Sequence, residues 1–195
     1  MNKAKEELAS LPFGEDRDAL LMVRAARGNL AAFEELVIRN QSPAWALAFH
    51  YLGDAAEAED IVQDAFLRLL QAAPRYRPTA RFRTYFSRIV VRLCLDFRSK
   101  KRPVYREALP DSPDTARDPE AVLCNEETAR ELRRSLEDLP PAQRMALLLR
   151  HVEGFTYSEI AEAMSISAKA VDSLLQRARQ ALRVRLDFTK NLFQP

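Results

Sequence analysis

Apolar positions return at spacings of three and four along most of the chain, and no stretch alternates apolar and polar residues between turn signals. That pattern predicts amphipathic helices and gives little support to a sheet. A helix is expected from Asp18 through Arg27, stopped at Gly28, with Asn29 as the N-cap of a second helix carrying Phe33, Leu36 and Val37. Ser42-Pro43 should break that run, so Trp45, Phe49 and Leu52 fall on a separate helix or a kinked continuation ending at Gly53. Asp54 and Glu57 have capping-box spacing and open a helix with Ala58, Ile61, Val62, Ala65 and Leu69 on one face. Glu57, Asp60, Asp64 and Arg68 fall on the other face. A loop through Pro74 and Pro78 leads to a helix from Arg83 to about Arg98, lined on one side by Phe82, Phe86, Ile89, Val90, Leu93 and Phe97.

The periodicity then stops. The stretch "PDSPDTARDPE", Pro110 to Glu120, holds three prolines, four acids and no large apolar residue, too little to offset the entropy of ordering it. It reads as a linker. Helical spacing resumes from Val122 to Asp138 with Leu132, Leu136 and Leu139. Pro140-Pro141 starts a further helix with Met145, Leu148, Leu149 and Val152 on a shared face, closed by Gly154. The expected fold is therefore all-α: two small helical domains, residues 16–102 and 122–188, joined by a flexible Pro/Asp-rich linker over 103–121.

Composition narrows the classes of function. In 195 residues, 47% hydrophobic content is enough for real cores, and only four glycines suit helices. Cys94 and Cys124 form no C-x-x-C pair, and with His50 and His151 they make no metal-ligand pattern, so neither a metal nor another cofactor is expected. No apolar run reaches the roughly 18 residues needed to span a bilayer, and Met1 to Phe13 lacks a basic-then-apolar signal pattern. The expected location is the cytoplasm, without membrane insertion. No nucleophile, base and orienter set is evident, so the chain is expected not to be an enzyme and to have no catalytic residues.

Two regions carry candidate chemistry. In "YSEIAEAMSISAKAVDSLLQRAR", Thr156 and Glu159 make a capping box for one helix and Ser167 can cap the next, around the corner Met164 to Ser167. This is helix-turn-helix spacing, whose second helix fits a DNA major groove. An ordinary αα-corner with solvated arginines matches the same pattern. Val171, Leu175, Ala178 and Leu182 should face the core, leaving Lys169, Ser173, Arg177 and Arg179 outward. The second region, Arg75 to Arg102, has ten Lys or Arg residues against one acid, Asp96. Such density calls for a polyanion. On its helix Arg81, Tyr85, Arg88 and Arg92 form a row, an aromatic ring among guanidinium groups, which suits unstacked single-stranded bases. The alternative is a half-packed Tyr85 with solvated or paired arginines.

With these residues in view, the chain resembles the extracytoplasmic-function (ECF) sigma factors of the sigma-70 family. The matching text, in order, is "ARGNLAAFEELV", "GDAAEAEDIVQDAFLRLL", "ARFRTYFSRIVVRLCLDFRSKKR", "LEDLPPAQRMALLLRHVEGFTYSEIAEAMSIS" and "LLQRARQALRVRL". The resemblance implies a region 2 domain followed by a region 4 domain. Asp60, Gln63, Asp64 and Phe66 would dock on core RNA polymerase. Tyr76, Arg77, Arg81, Arg83, Tyr85, Arg88, Arg92, Arg98, Lys100, Lys101 and Arg102 would recognise and melt the minus-ten element. Ser167, Lys169, Ala170, Ser173, Leu174, Arg177 and Arg179 would read the minus-thirty-five element. The implied partners are core polymerase, promoter DNA both as duplex and as melted strand, and an anti-sigma factor.

Departures from the family pattern are specific. Asp172 and Leu174 stand on the recognition helix where basic residues are common, and Leu174 could meet a thymine methyl, meet a protein partner, or pack. Ser165 takes a usual glycine position in the turn, Tyr85 a usual Trp position, and Pro78 a common loop glycine. The rival reading from a different class is a stand-alone helix-turn-helix regulator, which would bind duplex tightly without polymerase.

Overall fold

The computed structural model describes residues 16–100 and 134–192, with side chains through residue 184. The linker, Lys101, Arg102, Cys124 and most of the helix expected from Val122 lie outside the described residues. In chain order the helices are α1 (Arg17–Ala26), α2 (Leu30–Leu52), α3 (Ala55–Ala72), α4 (Phe82–Lys100), α5 (Pro141–His151), α6 (Tyr157–Met164) and α7 (Ala168–Leu192), with a 3-10 turn at Ala73–Arg75. Residues 134–137 are also helical, and no strand occurs among the described residues.

Local chemistry sets the starts. Asp16, Asn29 and Asp54 accept from the backbone N–H of Ala19, Ala32 and Glu57 at 3.0 Å each. Each thereby satisfies a donor that a helix start leaves unpaired. Asp16 does more: its other carboxylate oxygen accepts from Phe82 N–H at 2.8 Å, tying the start of α4 to the start of α1. Thr156 and Glu159 complete a reciprocal capping box for α6. Ser167 Oγ accepts from Ala170 N–H at 3.2 Å at the head of α7.

Of the two outcomes expected at Ser42-Pro43, the separate helix does not form: the chain continues as one helix, α2, with Pro43 inside it. Pro43 lacks the N–H that would reach back four residues, a cost of about 3 kcal/mol in a helix interior. Burial immediately beyond it offsets that cost, since Ala44, Leu47, Ala48, Tyr51 and Leu52 all face the core. Val152 also departs from expectation. It follows the end of α5 and is 49% exposed.

Around one core, α1 packs on α2, α2 on α3, and α3 on α4, with Met22, Leu36, Leu47, Leu69, Phe82 and Val90 fully buried. In the second unit α7 packs on α5 and α6 through Met145, Leu149, Phe155, Ile160, Val171 and Leu175. The two units are not separate. Helix α4 packs along α6, α2 meets α5, and the apolar cluster is continuous across the seam.

The turn between α6 and α7 contains the one positive-φ residue other than glycine among the described residues, Ser165 at φ 56° and ψ 44°. Its N–H and that of Ile166 close back on α6 through Glu162 and Ala161 carbonyls. A left-handed conformation costs an L-residue about 1–2 kcal/mol. Ser165→Gly is accordingly expected to raise stability by about 1 kcal/mol, read as a higher urea midpoint at unchanged slope. A lower midpoint would show that the side chain contributes more than the strain removes.

Candidate nucleic-acid interface

The loop after α3 is fixed at both ends. At one end Tyr76 is 6% exposed, and at the other Phe82 N–H is held by Asp16. Burial pushes the Tyr76 phenol well above its ordinary pKa, and the nearby Asp16 charge adds to that. Tyr76, which the resemblance assigns to the minus-ten surface, is therefore a packed residue in this structure. What it does instead is support Tyr85: the two rings meet edge-on, centroids 5.1 Å apart at 67°. Tyr85 is half-buried, and burial raises its phenol pKa although Arg88 opposes this. The ring is thus set in place with its neighbours Arg81, Arg88 and Arg92 exposed along the helix.

Not every base of the region points away. Arg92 Nε lies 3.9 Å from Asp96, an exposed i,i+4 pair worth about 0.3–0.5 kcal/mol. Arg98 turns inward, its guanidinium 6.0 Å from the Tyr51 ring centre, which departs from an outward placement. Arg77 and Lys100 are exposed. Arg83 Nη2 donates to the Glu153 carboxylate at 2.9 Å and to the Glu153 carbonyl, with its guanidinium 4.6 Å above the Phe155 ring. The head of α6 faces the same place. Burial would raise the Glu159 carboxyl, but bonds from Thr156 and the positive charges of Arg81 and Arg83 hold it below its usual value.

On α7, Val171, Leu175 and Ala178 are buried, and Ser167, Lys169, Arg177 and Arg179 are exposed. Ala170 and Ser173 are half-exposed, and Ser173 Oγ donates back to the Lys169 carbonyl at 3.0 Å. Arg177 Nε donates to the Ser173 carbonyl at 3.1 Å, which leaves the rest of its fork outward. Asp172 accepts from Gln176 at 3.0 Å, so its charge is engaged along the helix. Leu174 packs, half-buried, against the core.

The acidic face of α3 differs from expectation in one residue. Phe66 is 9% exposed, with its ring 4.8 Å from that of Phe86. It belongs to the core because the buried arc of α3 is wide enough to include it with Val62 and Leu69. The large apolar residues that α3 does expose are Leu67 and Leu70, 59% and 42%. They lie beside Asp60, Gln63 and Asp64, and Asp64 pairs with Arg68 at 3.1 Å. Gln41, Ser42 and Trp45 of α2 join Glu59, Val62 and Gln63 of α3 around an adjoining groove of about 350 Å³.

Residues 36–104 match the family model for sigma-70 region 2, and residues 129–182 match that for sigma-70 region 4. The RNA polymerase sigma-H factor of Pseudomonas aeruginosa is 30% identical over 184 residues, covering 86% of this chain and 93% of the relative. The chain belongs to the ECF sigma factors of the sigma-70 family.

The ECF sigma-E factor of Escherichia coli K12 is 30% identical over 85% of this chain and 92% of its own length. The ECF sigma factor SigE of Mycolicibacterium smegmatis is 32% identical over 81% of the chain, which spans 64% of that relative. Among solved structures, CnrH in complex with the cytosolic domain of CnrY superposes with a TM-score of 0.66 at 28% identity, covering 88% of this chain and 97% of that one. RpoE of Bartonella quintana, at 20% identity and a TM-score of 0.62, shares the fold. No helix among the described residues of this sigma factor is long and apolar enough to cross a membrane.

Three features of this sigma factor were not expected from its sequence: the exposed Leu67 and Leu70, the second role of Asp16, and the pairing of Arg83 with Glu153. Leu67 and Leu70 were readable in principle, since they fall between the core positions of α3. The second role of Asp16, sixty-six residues from its partner Phe82, left no local signal.

Proposed function

We propose that this sigma factor docks on core RNA polymerase through the exposed face of α3, reads a minus-thirty-five element with α7, and captures melted minus-ten bases on α4. The region 2 domain then spans residues 16–102, the linker 103–121 and the region 4 domain 122–188. The observation that carries this reading is Tyr85, a ring braced edge-on by Tyr76 inside a row of exposed arginines. A braced ring loses little freedom when a base stacks on it, and stacking tolerates any base. The arginines follow the phosphates. As a specificity subunit the chain contributes binding energy to promoter opening and carries out no bond chemistry itself. Its site of action is the cytoplasm. A protein antagonist is part of the proposal: the relative CnrH is bound by CnrY, and an anti-sigma factor would occupy the same faces here.

Footprinting tests it. With core polymerase the chain should protect two separated blocks upstream of a start site, and strong protection by the chain alone would favour a stand-alone regulator. Arg177→Ala is expected to weaken the upstream block by about 1 kcal/mol or more, several-fold in affinity, because a phosphate or base-edge contact is lost. An unchanged upstream footprint would remove Arg177 from the reading surface.

A further inference from the structure

Residues 77–81, between Tyr76 and the head of α4, form an arch on the proposed strand-binding face. Ala80 is tucked inward, while Arg77, Thr79 and Arg81 are exposed. Thr79 N–H closes a tight turn on the Arg77 carbonyl at 2.8 Å, and Tyr85 N–H donates to the Arg81 carbonyl at 3.0 Å. The two ends set the shape of the arch. At the first end the Tyr76 side chain holds by packing alone, since its hydroxyl is buried without a partner among the described residues. At the second, the N–H of the fully buried Phe82 needs an acceptor.

That acceptor comes from outside the helix. Arg81, immediately before Phe82, has a side chain made only of donors and cannot cap α4. Arg81 and Arg83 also place positive charge at the positive end of the helix dipole, which is unfavourable. Asp16 answers both needs: its Oδ2 accepts from Phe82 N–H at 2.8 Å, and a carboxylate is the favoured charge at a helix start. Its Oδ1 is already engaged on Ala19 N–H at 3.0 Å, so one side chain caps two helices. The mount is firm. Arg39 and Asn40 of α2 both donate to Asp18, at 2.6 and 3.3 Å, which fixes the first turn of α1 against α2. The Asp16 charge also lies near enough to the Tyr76 phenol to help raise its pKa, which places Asp16 beside both ends of the arch.

We propose that Asp16 is a positioning residue for promoter opening: by capping α4 from across the fold it holds the 77–81 arch and Tyr85 in the geometry that receives an unpaired strand. A loop fixed before the strand arrives loses little further freedom on binding it. Released from Asp16, the head of α4 frays and the arginines of the arch spread over many arrangements, which strand capture must then order. Closed-complex contacts, proposed for α7, do not pass through Asp16. The effect therefore falls on opening. This role rests on the reading of α4 and its preceding loop as the strand-binding surface.

Asp16→Asn and Asp16→Ser test it, because each offers a single side-chain oxygen, enough to cap the local Ala19 N–H but not both helices. Amide hydrogen exchange of the full chain is followed in peptides covering residues 77–86 and 17–26. With core polymerase, opening is read by permanganate and closed binding by gel shift at low temperature, on a promoter found by sequencing the transcripts. Exchange in 77–86 is expected to quicken roughly threefold or more with 17–26 unchanged, while opening falls roughly threefold to tenfold and closed binding moves less than twofold. Tyr85→Ala is run alongside. Unchanged exchange in 77–86 overturns the tie. Faster exchange with native opening, where Tyr85→Ala opens poorly, overturns the positioning role and leaves the strand-binding reading standing. Equal losses in opening and closed binding reduce Asp16 to a structural residue. Native opening in Tyr85→Ala overturns the strand-binding reading, and the positioning role with it, whatever the exchange.

Discussion

Tyr85→Ala is expected to reduce open-complex formation roughly fivefold to a hundredfold while changing closed-complex binding by less than threefold. Stacking of a base on an aromatic side chain is worth about 1–3 kcal/mol, and each 1.4 kcal/mol is a tenfold change. The duplex contacts of the closed complex are proposed to come from α7, so they should survive. The variant also removes the edge-on partner of Tyr76. Tyr85→Phe separates the two effects, because it keeps the ring and its brace and should open promoters nearly as well as the native chain. Permanganate reactivity of unpaired thymines reports opening, and a filter or gel assay at low temperature reports closed binding. Equal losses in both would reject a stacking role.

The second large effect is expected at the polymerase face. Asp60 is exposed and makes no ion pair among the described residues, so its charge is available to a basic partner. Asp60→Arg places like charge against like, which costs an interface several kcal/mol, and core affinity should fall at least tenfold. Leu67→Asp should act in the same direction by putting a charge where an exposed apolar side chain is proposed to meet the partner. Asp64 starts from a different position, since its pair with Arg68 is about half exposed on both sides and worth only about 0.3–0.5 kcal/mol. That pair is no barrier to a partner. Native core affinity in Asp60→Arg would show that the docking face lies elsewhere.

Most of the helical framework was legible because its signals are local. Asn29, Asp54, Thr156 with Glu159, and Ser167 each cap the helix that their spacing announced. Pro43 left a separate helix and a continuation both open because its penalty is local, whereas the burial of Ala44, Leu47 and Tyr51 that keeps the helix continuous comes from packing against other helices. Phe66 stands on the docking face only through the family resemblance, whereas its ring packs against Phe86 in the core. The depth of the buried arc depends on Phe86, twenty residues away. Tyr76 shows the same limit in a loop. The pair of Arg83 with Glu153 joins residues 70 apart in sequence, and no periodicity could announce it. For the candidate surfaces, residue types and helix faces were readable, while the choice between exposed, packed and self-occupied side chains required the tertiary structure.

The most direct measurement of the central claim is transcription reconstituted from purified core RNA polymerase and this chain on genomic DNA, with the 5′ ends of the transcripts sequenced. Discrete start sites sharing two upstream elements are predicted, lost in Asp60→Arg and strongly reduced in Tyr85→Ala. Transcripts without defined start sites, or start sites indifferent to both substitutions, would contradict it.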